Sequence, residues 1–198
     1  VNGNILVTGH SGYLASALTK ELDCNIIEYA GDVRVYKQYS NISYVVHFAS
    51  PSDKYEFVDE YRTITTIMNG TMNMLRVARD NNCKFIYAST LGVKYINSTA
   101  DIYTVSKLAM ENLIKVSYND YVILRIPRVY SKCRNKGLMK QLKDQTVPEQ
   151  DMDKTVEFIT LDDFVNQTKP AIELTQTIYE YDITNTNTIR EIDRWLKE

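Results

Sequence analysis

The sequence predicts an α/β protein in which a doubly wound parallel sheet carries helices on both faces. Three observations lead there. Short apolar runs rich in β-branched residues alternate with helix-period segments through the first 130 residues, the pattern of successive βα units. The first run passes through a glycine-rich turn straight into a helix. The small and polar residues able to do chemistry cluster after the apolar runs, at the strand ends where open parallel sheets take their ligands.

Asn4-Ile5-Leu6-Val7-Thr8 is the first strand, and Gly9-His10-Ser11-Gly12-Tyr13-Leu14-Ala15 leads from it into a helix reaching about Leu22. Such a turn suits a pyrophosphate: backbone N–H groups and the helix dipole face the anion, and glycines let the backbone approach it. Ala15 stands where a third glycine would pack helix on strand, and one methyl is tolerable there. Asn25–Tyr29 is the second strand. Glu28, near its end, could bind the ribose 2′-hydroxyl of NAD and repel the 2′-phosphate of NADP; an exposed strand-end glutamate is the alternative. Gly31-Asp32-Val33-Arg34 follows as a turn whose carboxylate could reach an adenine edge. Tyr44–Phe48 is a buried strand ending at Ala49-Ser50-Pro51, and His47 in it reads as a hydrogen-bonded structural histidine. A helical region runs from about Asp53 to Asn81, its methionines reading as packing. Lys84–Ala88 is a fourth strand ending in Ser89-Thr90. A helix to about Ser117 and a fifth strand, Tyr121–Arg125, complete the alternation. Beyond Tyr130 come a basic helical piece over Lys136–Lys143, read as a solvated face, a strand at Val156–Thr160 and a helix from Leu161. A strand at Ile178–Ile183 and a last helix opening at Thr186–Glu191 end the chain. Residues 1–130 are therefore expected to form the ligand-binding core. Residues 131–198 are expected to form a small C-terminal portion packed on it as one compact unit.

Within the helix after Thr90, Tyr103 and Lys107 are four residues apart and share a face. A phenol normally keeps its proton to about pH 10, and a neighbouring ammonium favours the phenolate. The pair is thus expected to move a proton on or off a sugar hydroxyl, with Lys107 drawing Tyr103 toward a useful range.

Composition narrows the classes. The 198 residues are 44% hydrophobic and 24% charged, with a formal net charge of −2 and a pI near 5.8, which leaves no electrostatic footprint for nucleic acid. No apolar run approaches the roughly 20 residues of a membrane span, and the N-terminus lacks a signal-peptide layout. Three cysteines without metal-ligand spacing read as reduced thiols in a cytoplasmic setting, and no metal site is expected.

Together these motifs resemble the extended short-chain dehydrogenase/reductase family, the NAD-dependent epimerase/dehydratase group acting on nucleotide sugars. The likeness lies in Thr8-Gly9-x-x-Gly12-x-x-Ala15, Gly31-Asp32-Val33-Arg34, His47-Phe48-Ala49, Ser89-Thr90, Tyr103-x-x-Ser106-Lys107, Arg125-x-x-Arg128-Val129-Tyr130 and Phe158-Ile159-x-x-Asp162-Asp163. It implies a Rossmann-like core and a catalytic set of Thr90, Tyr103 and Lys107. It also implies a cofactor site drawn from Gly9, Ser11, Gly12, Tyr13, Leu14, Glu28, Asp32, Val33, Phe48, Ala49, Ser50, Tyr103, Lys107 and Ile126. Ser50, Thr90, Leu91 and Arg128 would face a nucleotide-sugar substrate. The family's helices at 53–81 and 102–118 pair across a homodimer.

The departures are equally specific. The chain is short, little room remains for the family's third strand between Glu28 and Asp32, and the substrate-covering segment is small. Ile67 replaces an asparagine and Arg128 another. Leu91-Gly92 replaces the acid pair of the 4,6-dehydratases, and Leu91 also stands where epimerase–reductases carry cysteine. That leaves a nucleotide-sugar 4-epimerase holding NAD, with a 4-keto-sugar reductase as the alternative. A non-catalytic NAD(P)-binding protein is the alternative of another class. Glu28 and the absence of a basic residue at Ser11 favour NAD over NADP.

Overall fold

The computed structural model describes residues 3–198 apart from Lys54. Its main sheet has six strands in the order β2-β1-β3-β4-β5-β8, every pair parallel. The strands are β1 (Asn4–Thr8), β2 (Asn25–Glu28), β3 (Tyr44–His47), β4 (Lys84–Thr90), β5 (Tyr121–Ile126) and β8 (Thr177–Glu180). Their sequences are continuously apolar because helices cover both faces. The side-chain period of two then sorts each strand. Ile5, Val7, Val46, Ile86 and Val122 meet Ala15 and Leu18 of α1 (Tyr13–Lys20) and Phe164 of α5 (Leu161–Ala171). Leu6, Val45, Phe85 and Ile123 meet Ile67, Met74 and Leu75 of α2 (Glu60–Asn81) and Met110 and Ile114 of α3 (Ile102–Ser117).

A second, three-stranded sheet joins β6 (Val129–Tyr130), β7 (Thr155–Thr160) and β9 (Asn185–Thr188). Beside it Tyr130, Met139, Leu142, Phe158, Ile189 and Ile192 form a small core with α4 (Gly137–Lys143) and α6 (Ile189–Lys197). The last third of the chain is thus divided: this core is its own, whereas β8 and α5 belong to the main sheet and its packing.

Several boundaries differ from the sequence expectation, each for a local reason. The helix expected from Asp53 starts at Glu60, because Asp59 caps it by accepting the Arg62 N–H at 2.9 Å. Just ahead, the Glu56 carboxylate accepts the N–H groups of Ser52 (2.6 Å) and Asp53 (3.0 Å), which makes a tight turn. Thr186–Thr188 is strand, not helix: β9 pairs antiparallel with β7, and the helix begins only after the reciprocal Thr188–Glu191 capping box. The strand expected over Ile178–Ile183 stops at Glu180. As the short interval after Glu28 implied, β2 is an edge strand with nothing paired outside it among the described residues. Among the described residues no helix is long and apolar enough to cross a membrane, and no group of three His, Cys, Asp or Glu could hold a metal ion.

Candidate active site

Strand order reverses between β1 and β3, the position where open α/β sheets form a crevice. A cavity of about 870 Å³ opens there, within the range of ligand clefts. One of its walls is the glycine loop. Gly9 has φ +67°, and a Cβ on it would stand 3.0 Å from the Ala49 backbone. Gly12 donates its N–H to the Gly9 carbonyl at 2.8 Å, and a Cβ there would lie 2.9 Å from that oxygen. α1 begins immediately after, with no side chain capping it, so its first-turn amides are available to an anion. A dinucleotide's pyrophosphate fits this cradle.

Of the residues expected from sequence, Gly9, Ser11, Gly12, Tyr13, Leu14, Phe48, Ala49, Ser50, Thr90, Tyr103, Ile126 and Arg128 line the cavity. Five expected residues stand apart from its walls. Glu28 is exposed at the end of β2 with its carboxylate 2.8 Å from His10 Nε2. Asp32 is turned onto Arg34, whose guanidinium and backbone N–H hold its carboxyl below the usual range. Val33 is buried in the α2 side of the core, and its carbonyl accepts from Asn73 at 2.8 Å. Leu91 opens a 3₁₀ turn over Leu91–Tyr95. Lys107 lies beneath the cavity, 2% exposed.

His47 has the structural role expected of it. Its Nδ1 is 2.7 Å from Thr8 Oγ1, which itself accepts the Ala49 N–H at 3.1 Å. Burial pushes its pKa down to about 3, so the ring is neutral and ties the ends of β1 and β3 together.

The three residues expected to be catalytic, Thr90, Tyr103 and Lys107, sit at the end of β4 and in the first turns of α3. Asp101 caps α3 by accepting the Thr104 N–H at 2.7 Å, which places Tyr103 in the first turn and Lys107 one turn deeper. Thr90 Oγ1 accepts the Gly92 N–H at 3.2 Å, leaving its own proton to give. The expected activation of Tyr103 by Lys107 is not found among the protein groups. Burial, then the Asp101 charge, push the phenol up to about 12; the Ser50 hydroxyl and Arg134 oppose them. Lys107 Nζ is committed to the Ala88 carbonyl at 2.6 Å and lies 5.6 Å from the Tyr103 ring centre. Burial also lowers Lys107 to about 7, against the opposing pull of Glu111.

Glu111, fully buried one turn beyond Lys107, accepts from Ser89 Oγ at 2.6 Å and from Arg125 at 2.7 Å. Arg125 reaches on to Glu180 at 3.0 Å, and Glu180 to Lys94 at 2.7 Å. This chain of alternating charges supplies partners for what would otherwise be a costly buried carboxylate.

The wall facing the glycine loop is the part that the sequence reading missed. Phe57 stacks on Tyr103 with ring centres 4.6 Å apart and planes 7° from parallel. Lys136, expected on a solvated face, lines the cavity and pairs with Glu56 at 3.0 Å, while Asp53 accepts the Gly137 N–H at 3.0 Å. Arg134 lies over the Tyr13 ring at 4.9 Å. The only advance signal was the cluster of cations directly after Tyr130.

The parallel sheet and its glycine loop after the first strand agree with the sequence comparison. Residues 5–148 match the model of the NAD dependent epimerase/dehydratase family, most of the chain. The chain belongs to that family. Similar solved structures include the Thermus thermophilus UDP-glucose 4-epimerase complex with NAD, at 17% identity, covering 98% of this chain and 82% of that one, with TM-score 0.78. The Bacillus anthracis dTDP-4-dehydrorhamnose reductase in complex with NADP shares 18% identity over 99% and 80%, again at 0.78. The Helicobacter pylori ADP-L-glycero-D-manno-heptose-6-epimerase shares 21% over 99% and 82%, also at 0.78. Among curated proteins none is similar enough in sequence to register as a relative. At these identities the structures establish a shared fold.

Proposed function

We propose that this family member is a nucleotide-sugar 4-epimerase using NAD through Thr90, Tyr103 and Lys107. The observation that carries the reading is Tyr103 and Thr90 lining the same cavity as the glycine loop, with Lys107 one helical turn below. When bound, the nicotinamide ring supplies the hydride acceptor and donor. Tyr103 holds and moves the proton at the sugar 4-oxygen. Thr90, its acceptor role taken by Gly92, donates to the same oxygen and steadies it. Lys107, excluded from water, fixes the floor through Ala88 and would hold the cofactor's ribose if its Nζ turned from that carbonyl. Glu28, held against His10 at the end of β2, favours a ribose hydroxyl over a 2′-phosphate and so NAD over NADP. Arg128, exposed on the cavity wall, meets the substrate's diphosphate.

A second reading has its own support. A phenol held up at about 12 is protonated at neutral pH and set to give its proton, which suits reduction of a 4-keto sugar. Incubation with NAD and UDP- or dTDP-hexoses, read by NMR for C4 epimers, tests the first. NADH or NADPH oxidation by a 4-keto sugar tests the second. In either assay Tyr103→Phe should bind cofactor normally and lose about 10²–10⁴-fold in turnover. Near-full activity of that variant would remove Tyr103 from the chemistry. A parent protein that binds dinucleotide but turns over none of these sugars would instead be a non-catalytic NAD(P)-binding protein.

A further inference from the structure

Two guanidinium groups line the cavity, Arg128 after β5 and Arg134 between β6 and α4. No ion pair among the described residues uses either of them. The third cation on the wall, Lys136, is matched by Glu56. The cavity therefore presents two uncompensated positive charges, and a guanidinium's planar fork suits phosphate oxygens.

The two arginines are placed differently. Arg128 is exposed and close in sequence to Ile126, at the catalytic end. Arg134 is half-buried and anchored to the glycine loop, with its guanidinium over the Tyr13 ring. Tyr13 is the first residue of α1, and its hydroxyl donates to Ser131 Oγ at 2.7 Å, so the loop carrying Arg134 is tied to the loop that receives the anion. That arginine loop is also braced from behind. The Arg134 N–H bonds the Ser131 carbonyl at 3.1 Å, and Lys143 Nζ donates to the carbonyls of Lys132 (2.7 Å) and Arg134 (2.8 Å). The Arg134 charge lowers the pKa of the phenols of both Tyr13 and Tyr103, and both rings line the same cavity as Arg134 itself. A cation stacked on an aromatic face and held by a braced turn loses little freedom when it binds.

We propose that Arg134 is a cofactor-binding residue that clamps the cofactor's pyrophosphate against the glycine loop from its place over the Tyr13 ring. The inference rests on the dinucleotide reading above. It divides the labour: Arg134 serves the cofactor's diphosphate and Arg128 the substrate's.

Calorimetric titration of NADH, NADPH, ADP-ribose, adenosine and UDP into the parent, Arg134→Gln and Arg128→Gln tests it. Arg134→Gln should weaken NADH and ADP-ribose about tenfold or more, the scale of one charge-assisted contact, and leave UDP within about twofold. Arg128→Gln should do the reverse. Arg134→Lys, which keeps the charge and loses the fork, should recover part of the loss. Unchanged NADH affinity in Arg134→Gln overturns the proposal while the dinucleotide reading stands. Weakened UDP with unchanged NADH moves the residue to the substrate and overturns the cofactor assignment. An equal loss for adenosine, which has no phosphate, makes Arg134 a packing residue and also overturns it. A parent protein that binds neither dinucleotide removes the underlying reading and the clamp with it.

Discussion

The two walls of the cavity are built in opposite ways. The glycine-loop wall is made by backbone over a few residues: a positive-φ glycine, a 2.8 Å turn bond from Gly12 to Gly9 and a helix start. Even its one buried tie, Thr8 to His47, joins residues that are register partners on neighbouring strands. The opposite wall is made by side chains that meet across long stretches of chain. Lys136 reaches Glu56 over 80 positions, and Tyr13 reaches Ser131 over 118. A wall of the first kind needs only its own turn and the pairing of β1 with β3. The second exists only once the whole chain is assembled, and its bonds lie nearer solvent, where each contributes less.

The strongest way to break this contrast is Gly12→Val. Its φ of −73° is ordinary, so the backbone tolerates a side chain there; the obstacle is the Gly9 carbonyl and the anion's own space. NADH affinity should fall by more than about 100-fold, roughly 2.7 kcal/mol, with the fold retained by circular dichroism. Gly12→Ala should give a smaller loss of the same kind. Parent-like binding by Gly12→Val would mean that the loop does not seat the pyrophosphate.

The same wall carries a pH signature. His47 takes up its proton near the ordinary 6.5 in the unfolded chain, yet only at about 3 in the folded protein. Between those values the unfolded state binds more protons, so stability falls as pH drops through the window. From pH 7 to pH 5 this one ring should remove about 2 kcal/mol. His47→Gln keeps an acceptor for Thr8 and removes the titration. Urea unfolding of parent and variant at both pH values separates the slope from the cost of the substitution itself. Identical pH slopes would show that His47 protonates without unfolding.

The contrast also explains what could be read in advance. The strand runs, Gly9–Ala15, Thr90 and the Tyr103–Lys107 spacing are local patterns, and the main sheet and the loop followed from them. Glu28 is legible as a strand-end residue, but its contact with His10 depends on two loops meeting in space. Lys107 shows the limit of reasoning from spacing. Four residues on a helix put it below Tyr103, but only the tertiary structure reveals that its ammonium is committed to Ala88 and that burial dominates both pKa values. Arg134 and Lys136 were announced only as cations after Tyr130, with nothing local to aim them into the cavity, and Phe57 had no local pattern at all.

The smallest expected effect sharpens the comparison from the other wall. Lys136 and Glu56 are each close to half exposed, so their ion pair should contribute about 0–1 kcal/mol. Lys136→Gln should therefore lower Tm by no more than about 2–4 °C for a chain of this length. The effect should be local instead. Lys136 also donates to Ser52 at 3.2 Å, and the adjacent Gly137 N–H is held by Asp53 at 3.0 Å, so one side chain helps fasten two segments that meet at the cavity mouth. Amide exchange in Lys136→Gln should quicken over 52–57 and 132–138 while Gly9–Ala15 stays at the parent's rate. A drop of about 8 °C or more, or faster exchange in the glycine loop as well, would mean that the side-chain wall supports the backbone wall and that the two are not built independently.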